Sequence, residues 1–358
     1  MKKAGIITKM GRNYGAVLQA YAMRKALESA GCEAEIINYR HPASRAADRI
    51  FLPIQKRGSL RYDLKVLPHA AKIRKAAEKF NSFRREYFNL TEIYPDLESL
   101  RNHPPEDDIY FVGSDQVWNP SIEFSPIYFL DFGPDTVKRY SYAASFGKST
   151  LKEEYKGKIK ALLEKLDGIS VREQSALSIL DELSVSGRFV LDPTFLVPLS
   201  DWEAIEQKPE GTLPEHYIVC YFLNLNEAAE RAVAKLKKDT GLPVINICSE
   251  LFNPKIGDEE RWDIGPREFI WLIHHADAVM TSSFHGTVFS ILFEKKFLTV
   301  NVHEGDGRLT SLLETLNLSS HLLNDPKNLC GINEPAVPGS EQRRLYEESM
   351  DYIMNAIR

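Results

Sequence analysis

Two doubly wound, Rossmann-like α/β domains facing across a cleft are the fold this 358-residue sequence predicts. Three observations carry the prediction. Short apolar runs of strand length alternate with stretches of helical spacing along most of the chain, the pattern of parallel sheets covered by helices. Pro193 and Pro198, followed by Leu199-Ser200-Asp201-Trp202, break that alternation into two series. The length also exceeds that of one ordinary domain. The boundary falls near residue 190, giving domains over residues 1–190 and 191–339.

The first series opens with a strand over residues 2–8, a loop with Gly11 and Gly15, and a helix over residues 17–30 closed by Gly31. Glu35-Ile36-Ile37-Asn38-Tyr39 is the second strand, so the chain begins with a βαβ unit. Gly11 and Gly15 do not fit G-x-G-x-x-G, so dinucleotide binding is not expected. The loop around Asn13, Tyr14 and Gly15 can still receive an anion or a sugar hydroxyl. Residues 59–88 read as a charged helical stretch. Asp108-Ile109-Tyr110-Phe111-Val112 is a buried strand that runs into Gly113-Ser114-Asp115-Gln116-Val117-Trp118-Asn119-Pro120. A strand over 139–147, a helix over 151–166, a short strand over 168–173 and a helix over 174–183 complete the series.

After the break, strands are expected over 216–224, 243–248 and 297–301, with helices over 226–239, 266–274 and 308–316. Between the second helix and the last strand lies the stretch on which the functional reading centres. Ala278-Val279-Met280 reads as a buried strand, Thr281-Ser282-Ser283 as a polar turn, and Phe284-His285-Gly286-Thr287 as a helix start. A last helix spans 340–357, and no short repeat or low-complexity tract appears.

Composition narrows the class. Apolar and charged fractions of 43% and 27% are those of a soluble globular protein. No run approaches the ~20 apolar residues of a membrane span, and the opening Met1-Lys2-Lys3-Ala4-Gly5-Ile6-Ile7-Thr8 is too short for a signal-peptide core. A cytoplasmic protein is therefore expected. Cys32, Cys220, Cys248 and Cys330 are scattered without metal spacing and read as buried free thiols. The net charge is −5, yet from Arg40 to Arg85 there are 13 Lys/Arg against 3 Asp/Glu. A solvated helical face is the plainer reading of that run. The sharper one is a basic surface meeting anionic lipid head groups at the inner face of a membrane, or a phosphate-bearing acceptor. No nucleic-acid motif accompanies it, so no nucleic-acid partner is expected.

Candidate functional residues sit at strand ends, where open α/β sheets bind ligands. Ser282 and Ser283 are good helix caps, and a helix amino end is a ready anion site. His285 in that first turn is biased toward the neutral form and suited to proton transfer; the alternative is a histidine that merely caps the turn. Ser114, Asp115 and Gln116 face the expected cleft, although Asp115 can equally cap the following turn. Arg172 can hold a carboxylate or phosphate through two parallel bonds, or form an internal ion pair with Glu173 or another carboxylate.

Taken together, Asn13-Tyr14-Gly15-Ala16-Val17-Leu18-Gln19-Ala20-Tyr21, Val112-Gly113-Ser114-Asp115-Gln116-Val117-Trp118-Asn119, Ser170-Val171-Arg172-Glu173, Asp192-Pro193-Thr194 and Ser282-Ser283-Phe284-His285-Gly286 resemble the polysaccharide pyruvyl transferase family. The resemblance runs from residue 4 to about residue 318. It implies a GT-B-like architecture with the site between the domains and the helix over 340–358 crossing back to the first. It also implies transfer of a pyruvyl group from phosphoenolpyruvate to a sugar of a surface or capsular glycan precursor, lipid-linked or nucleotide-linked, as a ketal. No cofactor is implied beyond phosphoenolpyruvate as the donor substrate, and no metal. In this resemblance His285 is the acid or base and Arg172 holds the donor. Some members carry an arginine two residues before the histidine, where this chain has Ser283; another cation is then needed, and Arg308 or Lys296 can supply it unless each is an ordinary surface charge. Two other functions fit the same features: a GT-B glycosyltransferase with a nucleotide-sugar donor, and a non-catalytic glycan-assembly protein of the same fold.

Overall fold

The carboxyl edges of two parallel sheets are brought face to face in the computed structural model, which describes residues 1–40, 67–249, 255–301, 307–327, 329–337 and 339–358. Residues 41–66, with six of the 13 Lys/Arg of the basic run and the start of the charged helical stretch, lie outside the described residues. The first sheet contains β1 (Lys3–Ile7), β2 (Glu33–Tyr39), β3 (Leu90–Tyr94), β4 (Ile109–Val112) and β5 (Lys138–Ser141), in the order β3-β2-β1-β4-β5. Two short strands, β6 (Ser170–Val171) and β7 (Arg188–Phe189), continue it through the bridges Tyr140–Gly168 and Ala144–Val171. Its helices are α1 (Tyr14–Ser29), α2 (Ala70–Tyr87), α3 (Leu97–Asn102), α4 (Glu153–Leu163) and α5 (Gln174–Glu182).

The chain crosses through a short 3-10 helix, Pro193–Leu196, and α6 (Leu199–Ile205). The second sheet is β8 (Ile218–Tyr221), β9 (Val244–Ile247), β10 (Glu259–Arg261), β11 (Ala278–Thr281) and β12 (Lys296–Thr299), in the order β10-β9-β8-β11-β12. Around it lie α7 (Glu227–Thr240), α8 (Pro266–His274), α9 (Phe284–Leu292) and α10 (Arg308–Thr315). The last helix, α11 (Ser340–Ile357), returns to the first domain. There the Tyr352 hydroxyl donates to the Ser141 carbonyl at 2.9 Å, and the Leu191 N–H donates to the Ser349 hydroxyl at 2.9 Å.

The central strands are buried along their whole length, β4, β8 and β11 among them, which is why they read as unbroken apolar runs. Two edge strands escaped the sequence reading for the complementary reason. β10 is Glu-Glu-Arg and carries no apolar signal, while β3, Leu90-Thr91-Glu92-Ile93-Tyr94, holds apolar residues without a buried run because its middle faces solvent. The strand expected over 139–147 ends at Ser141, because Ala143 turns into the left-handed region at φ 53°.

One apolar core runs through both domains. Tyr14 of α1 stacks on Phe269 of α8 with centroids 4.4 Å apart, and Trp202 sits edge-on to Phe289 at 4.9 Å. α2 bridges the same junction: the Lys79 ammonium donates to both oxygens of Glu268 at 2.5 and 2.7 Å. Cys32, Cys220 and Cys248 are buried free thiols, as expected. Among the described residues no helix is long and apolar enough to cross a membrane.

Candidate functional site

Four strand ends and two helix amino ends meet at one buried carboxylate, Asp192. Register fixes the arrangement. Val112 aligns with Ile7 and Ser141, so the residues after β4 leave the carboxyl edge of the first sheet. Thr281 aligns with Tyr221 and Thr299, so the turn into α9 leaves the corresponding edge of the second. Ser114 and Asp115 follow β4, Arg172 and Glu173 follow β6, and Asp192 follows β7 by three residues. His285 arrives from the other domain in the first turn of α9.

Asp192 Oδ2 accepts from the Ser114 hydroxyl at 2.7 Å and from Arg172 Nη1 at 2.9 Å, and it lies 3.5 Å from His285 Nε2. Its other oxygen accepts from the Thr194 hydroxyl at 2.7 Å and the Thr194 N–H at 3.1 Å, so the Asp–Pro–Thr sequence caps its own short helix while feeding the site. Burial by itself would raise this carboxyl. The His285 imidazole, the Arg172 guanidinium and the Thr194 hydroxyl outweigh it and hold Asp192 well below the ordinary carboxylate range. Asp115 is also lowered, by Arg172 and then His285 against its own burial, and its oxygen lies 3.4 Å from Arg172 Nη2. Glu173 is raised: burial wins there over Arg172, Ser145 and Arg308.

His285 is enclosed on both faces of its role. Nε2 faces Asp192 Oδ2 at 3.5 Å and makes no closer hydrogen bond among the described residues, and Nδ1 looks toward α1. A Cβ on Gly15 would stand 2.0 Å from Nδ1, so only glycine lets the α1 backbone lie against the ring. Two helix amino ends thus converge on one imidazole, each with partial positive charge. The Phe284 ring lies 4.2 Å under the Arg172 guanidinium, a cation–π contact that fixes the arginine plane.

The expected residues divide into groups. His285, Arg172, Ser114 and Asp115 come together around Asp192. Arg308, first residue of α10, is near enough to Glu173 to lower its carboxyl, which places this arginine beside the cluster. Asn13 caps α1 by accepting from the Ala16 N–H at 3.2 Å, and Ser283 caps α9 by accepting from the Gly286 N–H at 3.3 Å. Gln116 accepts from the Asn119 amide at 2.7 Å and gives its backbone carbonyl to Lys9.

Three of the expected residues are placed differently from the rest. Tyr14 is a core residue: its ring stacks on Phe269 and its hydroxyl donates to the Ile264 carbonyl at 3.0 Å, because α1 is wedged between the domains. Lys296 pairs in register with Ala278 at the amino edge of the second sheet, a strand length from the turn that carries His285. Arg172 is 3% exposed and engaged with Asp192, Ser114 and Asp115, so it is not a guanidinium lying open to an incoming anion.

Sequence reasoning passed over Asp192, Glu173 and Arg84 as functional groups. Asp192 had a signal, an aspartate before proline at the end of a strand. Arg84 had none, since it lies in the basic run read as solvated. It is in fact buried, and its Nη2 donates to the Met10 and Gly11 carbonyls at 2.6 and 3.0 Å, holding the loop that leads into α1.

A family model described as polysaccharide pyruvyl transferase matches residues 13–304. No curated protein matches the chain. Among solved structures, a putative UDP-N-acetylglucosamine 2-epimerase from Listeria monocytogenes superposes with a TM-score of 0.52 at 12% identity, covering 99% of this chain and 91% of that one. S. aureus MnaA in a UDP co-structure gives 0.49 at 13% identity, over 99% and 98%. The first likeness establishes the fold, two facing Rossmann-like domains of the GT-B type.

Proposed function

The chain belongs to the polysaccharide pyruvyl transferase family, a family of transferases, and we propose that it moves the pyruvyl group of phosphoenolpyruvate onto a sugar of a surface-glycan precursor as a ketal. The observation that supports this reading most is the convergence of His285 from one domain and Arg172 from the other on the single oxygen Oδ2 of Asp192. An acid–base group held between two domains is what a two-substrate transfer in a closing cleft asks for.

The reaction joins C2 of the donor to two sugar oxygens, adds a proton at C3 and breaks the C2–O bond to phosphate. Two hydroxyl protons are lost; one is balanced at C3 and one leaves with the phosphate. His285 is the group we assign to this traffic, worth on the order of 10²–10⁴-fold in rate. Asp192 sets a negative charge 3.5 Å from Nε2 of the ring. Arg172 in turn keeps Asp192 ionised and in place, so it serves His285 from behind.

Three carboxylates surround Arg172, so the donor anions need positive charge from elsewhere. We assign that role to Arg308 and to the amino ends of α1 and α9. The test is phosphate release from phosphoenolpyruvate across a panel of lipid-linked and nucleotide-linked glycan precursors, paired with calorimetric binding of phosphoenolpyruvate and of nucleotide sugars. Turnover with one acceptor, lost in His285→Ala while donor binding persists, is the expected result. Binding of nucleotide sugars with none of phosphoenolpyruvate would sink the proposal in favour of glycosyl transfer.

A further inference from the structure

Away from the cleft, where the segment leaving α6 meets the end of α8, Glu206, His274 and His275 place three ligand atoms within 4.8 Å of one another. His274 Nδ1 lies 2.8 Å from Glu206 Oε2, and His275 Nε2 lies 3.0 Å from Glu206 Oε1. We propose that this trio is a surface site for a borderline divalent transition metal, of which zinc is the representative, and that the ion ties the interdomain connection to the second domain.

The chemistry of the donor set selects the ion. Two imidazoles and one carboxylate suit zinc, nickel, cobalt or copper and not calcium or magnesium, which require several oxygen ligands. Ligands around zinc at about 2.0 Å stand about 3.3 Å apart on a tetrahedron, so the His–Glu contacts open by a few tenths of an ångström on metal entry while the widest separation in the trio, within 4.8 Å, closes. His275 is 42% exposed on its side chain, which leaves a coordination position open to water. Without metal, each ring nitrogen facing Glu206 donates its hydrogen. With metal, that nitrogen gives its lone pair and the hydrogen moves to the other ring nitrogen, so neutral rings change tautomer with no net loss of a proton.

All three ligands are oriented before any ion arrives. The His274 ring stacks on Phe293 at 4.3 Å and 15°, and the His275 ring stacks on Trp271 at 4.3 Å and 23°. Glu206 is fixed from both sides, since Arg267 Nε donates to the Ile205 carbonyl at 2.7 Å and the Gln207 N–H donates to the Arg267 carbonyl at 3.1 Å. The rings also sit at the carboxyl end of α8, where the helix dipole favours positive charge. Two cations oppose binding: the Lys295 ammonium, which donates to the His274 carbonyl at 2.6 Å, and Lys208, which lies over the Trp271 ring. Five groups making a mutual network of stacking and hydrogen bonds around a paired glutamate is more order than an exposed ion pair needs.

Equilibrium dialysis of the full chain against zinc chloride and nickel chloride, read with thermal denaturation, decides the matter. One equivalent should bind and raise the melting temperature, while calcium and magnesium at the same concentration do neither. His275→Gln and Glu206→Gln each remove a direct ligand and should weaken that equivalent by at least about 10-fold, the least that loss of an outer-shell partner costs, and abolish the thermal shift. Cobalt bound to the wild type should show tetrahedral d–d absorption that is absent in His275→Gln. His275 is exposed, so that variant is expected to fold, which far-ultraviolet circular dichroism checks. Absence of a stoichiometric equivalent in the wild type, or its persistence unchanged in both variants, overturns the proposal.

Discussion

Gly15 shows how a residue without a side chain can control one that has chemistry. The α1 backbone lies so close to His285 that a methyl group there would stand 2.0 Å from Nδ1. Gly15→Ala should therefore push the ring off Asp192. Overpacking of this kind costs about 1–3 kcal/mol, so kinetics and thermal melting should show a larger proportional loss in kcat than in stability. Asp107 gives a second prediction at this scale. Its carboxyl is buried beside Gly5, with both oxygens lacking hydrogen bonds and Lys3 3.6 Å away. Burial first, then the charge of Glu35, push it up to about 7 against the pull of Lys3. A raised carboxyl is stabilising below its unfolded value and loses that contribution as pH climbs through the folded one. Stability should thus decline between about pH 4 and 7, by up to about 4 kcal/mol. Asp107→Asn should be more stable than wild type at pH 8, keep only a part of the advantage at pH 5 and lose it near pH 4; denaturant melts at the three pH values measure it.

Among the elements, α2 has a share in both domains. Phe80 and Phe83 pack on Tyr14 and Tyr21, Arg84 secures the loop before α1, and Lys79 meets Glu268 at the head of α8. Glu268 is 3% exposed on its side chain and also accepts from the Gly265 N–H at 2.8 Å. Removing its cation leaves a buried carboxylate unpaired. Lys79→Ala should destabilise the protein by about 2 kcal/mol, a figure below that of fully buried pairs because the lysine is partly solvated. An urea midpoint unchanged from wild type would show the contact to be idle. The variant also reports on domain closure, because the pair spans the junction.

The whole molecule is two domains by topology and one body by its interior. A single apolar core crosses the junction through Tyr14, Trp202, Phe269 and Phe289, and α11 returns from the second domain to seal the first. Cooperative units follow buried contacts rather than sheet topology. Calorimetry of the wild type should therefore show one transition with equal calorimetric and van't Hoff enthalpies. Two separated transitions would mean that the junction contributes little.

Local pattern was enough for much of this. The α/β class, the strands buried on both faces, the capped helices and the family motifs are all written in short stretches of sequence, because a buried strand must be apolar and a helix start must be capped. Edge strand β10 was silent and β3 lacked a continuous buried run, since solvent-facing pairing needs only backbone groups. What only the folded chain decided is which charges meet: Asp192 beneath His285, Arg172 turned inward, Arg84 buried, Tyr14 in the core and Lys296 at the far edge of its sheet. Charge partners come from segments tens to hundreds of residues apart, and an ion pair depends on distance in space, which no window of sequence contains.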